Sequence, residues 1–157
     1  VLDADALNCV AKQPEILLRK KAPIIITPHP GEMSRLTGLA TPLVNAERER
    51  VALDFAQKYG VVTVLKGAGT VIASPNGKVL VNPTGNSGMA TGGSGDVLAG
   101  MTASILAQGA SAFSSAAAAV YLHGLAGDIA AEKYGKISML PTDLINCIPL
   151  TYKRCGF

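Results

Sequence analysis

At 157 residues the chain has the length of about one domain, and a composition 48% hydrophobic and 16% charged excludes a disordered segment, which lacks the apolar surface to offset ordering entropy. A net charge of +3 without a basic run gives no electrostatic argument for nucleic acid or an acidic membrane, and no apolar stretch reaches the ~18–20 residues of a membrane helix. Three cysteines, Cys9, Cys147 and Cys155, have no CxxC or metal spacing, so free thiols in a reducing cytoplasm are expected.

In chain order, Val1-Leu2-Asp3 reads as the end of a buried strand, so the sequence is expected to begin inside a fold. The runs Pro23–Thr27 and Val61–Leu65 are continuously apolar, the pattern of central strands covered on both faces. Between them Val44–Tyr59 carries Val44, Val51, Leu53 and Phe55 among polar residues and reads as one amphipathic crossover helix, which makes the two strands parallel. Gly67-Ala68-Gly69 is short enough to turn the chain directly into the run Thr70–Ala73. Ser74-Pro75-Asn76-Gly77 is a turn by composition, so 70–73 and 78–82 are expected to form an antiparallel hairpin at the sheet edge. From Gly95 the pattern is helical, at roughly 95–108, 112–134 and 142–151.

The stretch from Asn82 to Gly100 leaves a strand, crosses a glycine-rich loop and enters a helix. Glycines let successive N–H groups converge on one anion, and a helix start adds unpaired N–H groups and the positive end of its dipole. A flexible turn is the plainer reading of the glycines alone. Asp96 sharpens the choice. A carboxylate in a first helical turn complements the dipole, but beside a glycine-built anion site it repels phosphate unless it serves to take a proton from an attacking hydroxyl.

Two further segments stand at strand ends. Thr27-Pro28-His29-Pro30-Gly31-Glu32 opens a helix and leaves His29 at the carboxyl end of a strand, either as surface decoration or where open α/β sheets bind ligands. Lys66, before the Gly67-Ala68-Gly69 turn, either caps its strand or pairs with phosphate as a point charge.

Gly93-Ser94-Gly95-Asp96 before Val-Leu-Ala-Gly100, with the His29 and Lys66 segments in the same order, resembles the ADP/ATP-dependent NAD(P)H-hydrate dehydratases of the ribokinase-like superfamily, in their bacterial form. The resemblance runs over nearly all of residues 1–150. It implies an α/β three-layer sandwich with a mostly parallel sheet and an antiparallel hairpin at one edge, of which residues 1–157 are the C-terminal part of a single catalytic domain. It implies Asp96 as catalytic base in contact with substrate, His29 as a contact to the NADH or NADPH hydrate, and the Gly93–Gly95 amides as the anion hole. Lys66, Gly67, Ala68, Gly69, Thr70, Asn86, Gly92, Gly93, Ser94 and Gly95 are implied as nucleotide contacts, with Asp3 near the metal-phosphate region. The implied co-substrate is ADP or ATP with Mg2+, the His-Pro-Gly-Glu string favouring ADP, and the family's usual partner is an NAD(P)H-hydrate epimerase. Ser94 stands where threonine is common, and the segments that precede Val1 in the family are absent, which leaves self-association or a longer parent chain as expectations. A small-molecule kinase of the same superfamily and a non-catalytic nucleotide-binding fragment are the alternatives. His123 and Asp128 also match family residues and are expected to act in helix packing and hydrogen bonding.

Overall fold

The computed structural model describes residues 1–156. Leu2 forms a parallel bridge to Ile26, and helix α1 (Asp5–Val10) and a 3-10 turn (Pro14–Arg19) follow before strand β1 (Ile25–Ile26). Helices α2 (Pro30–Thr37), α3 (Thr41–Ala46) and α4 (Arg48–Tyr59) lead to β2 (Val62–Leu65). The expected single crossover helix over Val44–Tyr59 is therefore two helices, broken at Glu47, whose φ of −126° and ψ of 43° leave the helical region. Strands β3 (Val71–Ala73) and β4 (Val79–Val81) complete the sheet, and α5 (Ser94–Ala107), α6 (Ala112–Tyr134) and α7 (Pro141–Arg154) complete the chain.

The sheet is mixed, in the order β1-β2-β3-β4. Parallel pairing is confined to β1–β2, with Ile25 opposite Val62, and to the Leu2 bridge. The turn after β2 sends the chain back on itself, so β2, β3 and β4 run antiparallel in succession.

Because successive strand side chains alternate between faces, the continuous apolar runs feed two cores. Ile26, Leu65, Val71 and Ala73 pack with Leu7, Leu17, Met33, Val44, Phe55 and Tyr59 from the helices before β2. Ile25, Val62, Val64 and Ile72 pack with Leu98, Met101, Ala116, Ala119 and Val120 from α5 and α6. Helices on both faces of one sheet make three layers. The alanines of α6 bring that helix close to the sheet and to α7, which joins it through Ala126, Ala130, Leu144 and Cys147. No helix among the described residues is long and apolar enough to cross a membrane.

Candidate active site

A cavity of about 820 Å³ opens beyond the carboxyl ends of β1 and β2. Its walls are the turn Lys66–Thr70, the loop from Asn82 to Gly95, His29, and the α6 residues Val120, His123 and Gly124. Strand ends of an open α/β sheet collect ligands because loops and helix starts converge there. All ten residues expected to contact nucleotide, and His29, line this one cavity.

At its floor, α5 begins behind Gly93, whose φ of 94° lies in the left-handed region that glycine adopts at little cost. No side chain caps this helix. Ser94 N–H donates to Thr91 O at 3.3 Å, and the next two amides, Gly95 and Asp96, have no backbone or side-chain acceptor among the described residues. Uncapped amides at the positive end of a helix dipole attract an anion.

Asp96 stands apart from the other expected residues. It is exposed, and its side chain borders a neighbouring groove of about 520 Å³ between α5 and α7, with Val97, Ile148 and Tyr152, instead of the main cavity. Consecutive residues of a helix point about 100° apart, so the Asp96 side chain turns away while its amide still faces along the axis.

The Lys66–Thr70 turn is fixed from below. The Arg48 guanidinium, at the start of α4, donates to Leu65 O at 2.9 Å and to Lys66 O and Gly69 O at 3.4 Å each. Burial holds this guanidinium below its ordinary pKa. Thr70 Oγ1 closes the turn by donating to Gly67 O at 3.0 Å. Nothing in the local pattern marks Arg48, because an arginine opening an amphipathic helix reads as a solvated charge.

Lys66 is a partner in an ion-pair cluster. Its Nζ lies 2.7 Å from Asp3 Oδ1 and 3.7 Å from Glu32 Oε2, and a Cβ built on Gly95 would stand 3.4 Å from it. The ammonium thus sits between two carboxylates and the start of α5. Glu32 is only 5% exposed and also accepts from His29 N–H at 2.7 Å. His29 caps α2: its Nδ1 accepts from Gly31 N–H at 3.0 Å and from Glu32 N–H at 3.4 Å. An Nδ1 that accepts carries no proton, so the neutral ring keeps its proton on Nε2. Prolines on either side and this reciprocal cap fix the loop that brings His29 to the cavity edge.

The long loop leans on α6. Asp128 accepts from Gly85 N–H and from Asn86 Nδ2, each at 2.9 Å, while Asn86 Oδ1 accepts from Gly88 N–H at 3.0 Å. Asn86 therefore lines the cavity with its side chain already committed within the loop. Thr84 Oγ1 donates to Tyr121 O at 2.9 Å. His123, buried, pairs through Nε2 with Ser94 O at 3.0 Å, and burial pushes its pKa down to about 4.

The described residues contain no group of three histidine, cysteine or acidic side chains placed to hold a metal ion. They do fit Mg2+ arriving on a nucleotide, which keeps waters and needs only one or two carboxylates beside the phosphates. Asp3, with Oδ1 on Lys66 and Oδ2 toward Gly95, is such a carboxylate.

Comparison with known proteins agrees with this geometry. The family described as NAD(P)H-hydrate dehydratase matches residues 1–150. A bifunctional NAD(P)H-hydrate repair enzyme of Moorella thermoacetica is 47% identical over 154 residues, covering 98% of this chain and 29% of that one. The crystal structure of the ADP/ATP-dependent NAD(P)H-hydrate dehydratase of Bacillus subtilis, co-crystallised with ATP and Mg2+ and soaked with CoA, superposes with a TM-score of 0.81. It is 38% identical over 84% of this chain and 49% of its own. A ribokinase-like superfamily protein of Enterococcus faecalis superposes with a TM-score of 0.80 at 33% identity, covering 97% of this chain and 51% of that one, and so gives the fold its name. The chain spans about half or less of the length of each of these three relatives. With the family match extending from the Leu2 bridge to α7, and with the same fold in relatives at these identities, the chain belongs to the NAD(P)H-hydrate dehydratase family.

Proposed function

We propose that residues 1–157 form the C-terminal, nucleotide-binding part of a single ribokinase-like catalytic domain that dehydrates NADH or NADPH hydrate at the expense of ADP or ATP. One observation carries the reading: a single cavity joins the Lys66–Thr70 turn, the uncapped start of α5 and His29. An adenine nucleotide lies along the turn with its terminal phosphate on the Gly93–Gly95 amides, and Asp3 holds the magnesium that neutralises the phosphates. Lys66, freed from Asp3 as the phosphates arrive, adds a positive charge on their other side. His29 offers its Nε2 proton to an acceptor on the hydrate.

Asp96 takes the proton of the hydrate hydroxyl as that oxygen bonds to the terminal phosphorus and the bond to the nucleotide breaks. The ring C–O bond of the new phosphate ester then breaks, inorganic phosphate leaves with the bonding electrons, the adjacent ring carbon gives a proton to water, and the double bond returns. Asp96 reaches this role from the groove between α5 and α7, so the hydrate extends from His29 in the main cavity around the start of α5 to that groove. Phosphate release from ADP or ATP, followed with and without NADPH hydrate alongside the absorbance of the regenerated dihydropyridine, tests the reading. Release independent of the hydrate, or absorbance recovery without nucleotide, sinks it. An epimerase acting on the two hydrate epimers is the natural partner. Self-association would pair the outer backbone edge of the segment Val1-Leu2-Asp3, whose inner edge at Leu2 is already bonded to Ile25 and Thr27.

A further inference from the structure

His123, Gly124, Gly127 and Asp128 fall on one face of α6, and that face meets the glycine-rich loop at both of its ends. At the near end Asp128 holds Gly85 and Asn86. At the far end the Ser94 carbonyl can only accept, so His123 Nε2 bears the proton that joins them. Just before the near anchor and between the two, the loop lies flat on the helix because two positions lack side chains. A Cβ on Gly124 would stand 2.2 Å from Thr84 Oγ1, and one on Gly127 would stand 2.3 Å from Met89 Sδ. Past Met89 the loop leaves the helix, and Ala90, Thr91 and Gly92 are exposed.

We propose that this face of α6 is the template that shapes the phosphate loop, with Asp128 and His123 as positioning residues at its two ends. The proposal rests on the reading of the cavity as a nucleotide site. A free carboxylate near that cavity would oppose phosphate, but both oxygens of Asp128 are taken by loop donors. A charged histidine beside the start of α5 would face the positive end of the dipole, and burial keeps His123 neutral at neutral pH. Fixing both ends of the loop in advance removes an ordering cost that anion binding would otherwise carry.

The test uses the whole chain, with Mg·ADP binding measured by calorimetry and amide hydrogen exchange measured without nucleotide. Asp128→Asn turns one acceptor into a donor facing a donor, so exchange at Gly85 should quicken about tenfold and the ADP dissociation constant should rise about tenfold. His123→Leu should quicken exchange at Ser94 and Val97, whose amides bond Thr91 O and Gly93 O, whereas His123→Gln, which keeps an N–H at similar reach, should restore it. Glu132→Gln, exposed on the same helix and paired with Arg154, should change neither. If Asp128→Asn does not fold, Asn86→Ala deletes the partner instead and should quicken exchange at Gly85 and Gly88. Wild-type exchange in Asp128→Asn, or His123→Gln behaving like His123→Leu, overturns the template. Exchange changes in the variants together with a wild-type chain that binds no adenine nucleotide keep the template and remove the nucleotide reading.

Discussion

Two glycine-bearing segments wall the cavity, and they are held in opposite ways. The Lys66–Thr70 turn is gripped through its carbonyls, by the fork of one arginine from the layer on the far side of the sheet. The loop from Gly85 to Ser94 is gripped through its donors at one end, by a carboxylate, and through a carbonyl at the other, by a neutral imidazole, both from α6. The turn therefore keeps its Gly67, Ala68 and Gly69 amides for the cavity, with the Lys66 amide on Pro28 O and its ammonium on Asp3 and Glu32, while the loop keeps the amides at the start of α5. A loop rich in glycine has little structure of its own. Here the shape is imposed by neighbours, and the charge of each neighbour is opposite to, or compatible with, the groups it holds.

The largest expected effect separates chemistry from binding along the loop. In an enzyme that includes the rest of the catalytic domain, Asp96→Asn should slow nucleotide-dependent dehydration ~10²–10⁴-fold and leave nucleotide affinity nearly unchanged, because asparagine keeps the shape and cannot take a proton. Turnover within a few-fold of wild type would remove Asp96 from the reaction and leave the loop a binding element only.

Acid should loosen the α6 brace before it touches the arginine brace. His123 has its pKa lowered to about 4, from about 6.5 in the unfolded chain. Between those values the unfolded chain binds the extra proton, so the stability is fully present above about pH 6.5 and is lost as pH falls toward 4. The loss is on the order of 3 kcal/mol. Urea unfolding at stepped pH should show it as the difference between wild type and His123→Gln; parallel curves for the two would mean that His123 titrates normally.

Arg48→Met keeps the apolar stem and deletes three donors, so it should cost about 2 kcal/mol of stability and disorder the turn. An unchanged unfolding midpoint would show that the turn holds its own shape, and the contrast with the loop would vanish. The smallest effect is that of Lys66→Ala on nucleotide affinity, about tenfold or ~1.4 kcal/mol by calorimetry. Tighter binding in that variant would mean that Lys66 serves Asp3 and Glu32 alone.

Sequence made much of this architecture legible, and the reasons differ by element. The buried runs at Ile25–Ile26 and Val62–Leu65 and the helix at Ala112–Tyr134 declare themselves by pattern, since burial on both faces or one long Ala-rich period leaves few alternatives. The break at Glu47 does not, because it sits inside a good helical pattern and is set by where Arg48 must reach. Helix α1 and the turn at Pro14–Arg19 were equally silent: each places one buried leucine, Leu7 or Leu17, too few for a period. At the site, the motifs marked residues facing the cavity and, in His123 and Asp128, the supports of the loop, but not Arg48, the support of the turn. Asp96 turned out to face the adjoining groove, since a motif records spacing along the chain and not the direction of a side chain around a helix.

Strand β4 gives the molecule one exposed flank. Its outer backbone edge is unpaired within the sheet order, and Leu80 and Val81 are 47% and 51% exposed. Edges of this kind recruit strands from other molecules, the first step toward insoluble fibrils. This one is a poor recruiter. It is three residues long, Lys78 stands immediately before it, and Pro83, two residues after it, has no N–H with which to extend a ladder. The proline that bends the chain into the cavity wall thereby also stops the sheet from growing outward, so binding geometry and colloidal behaviour share one residue.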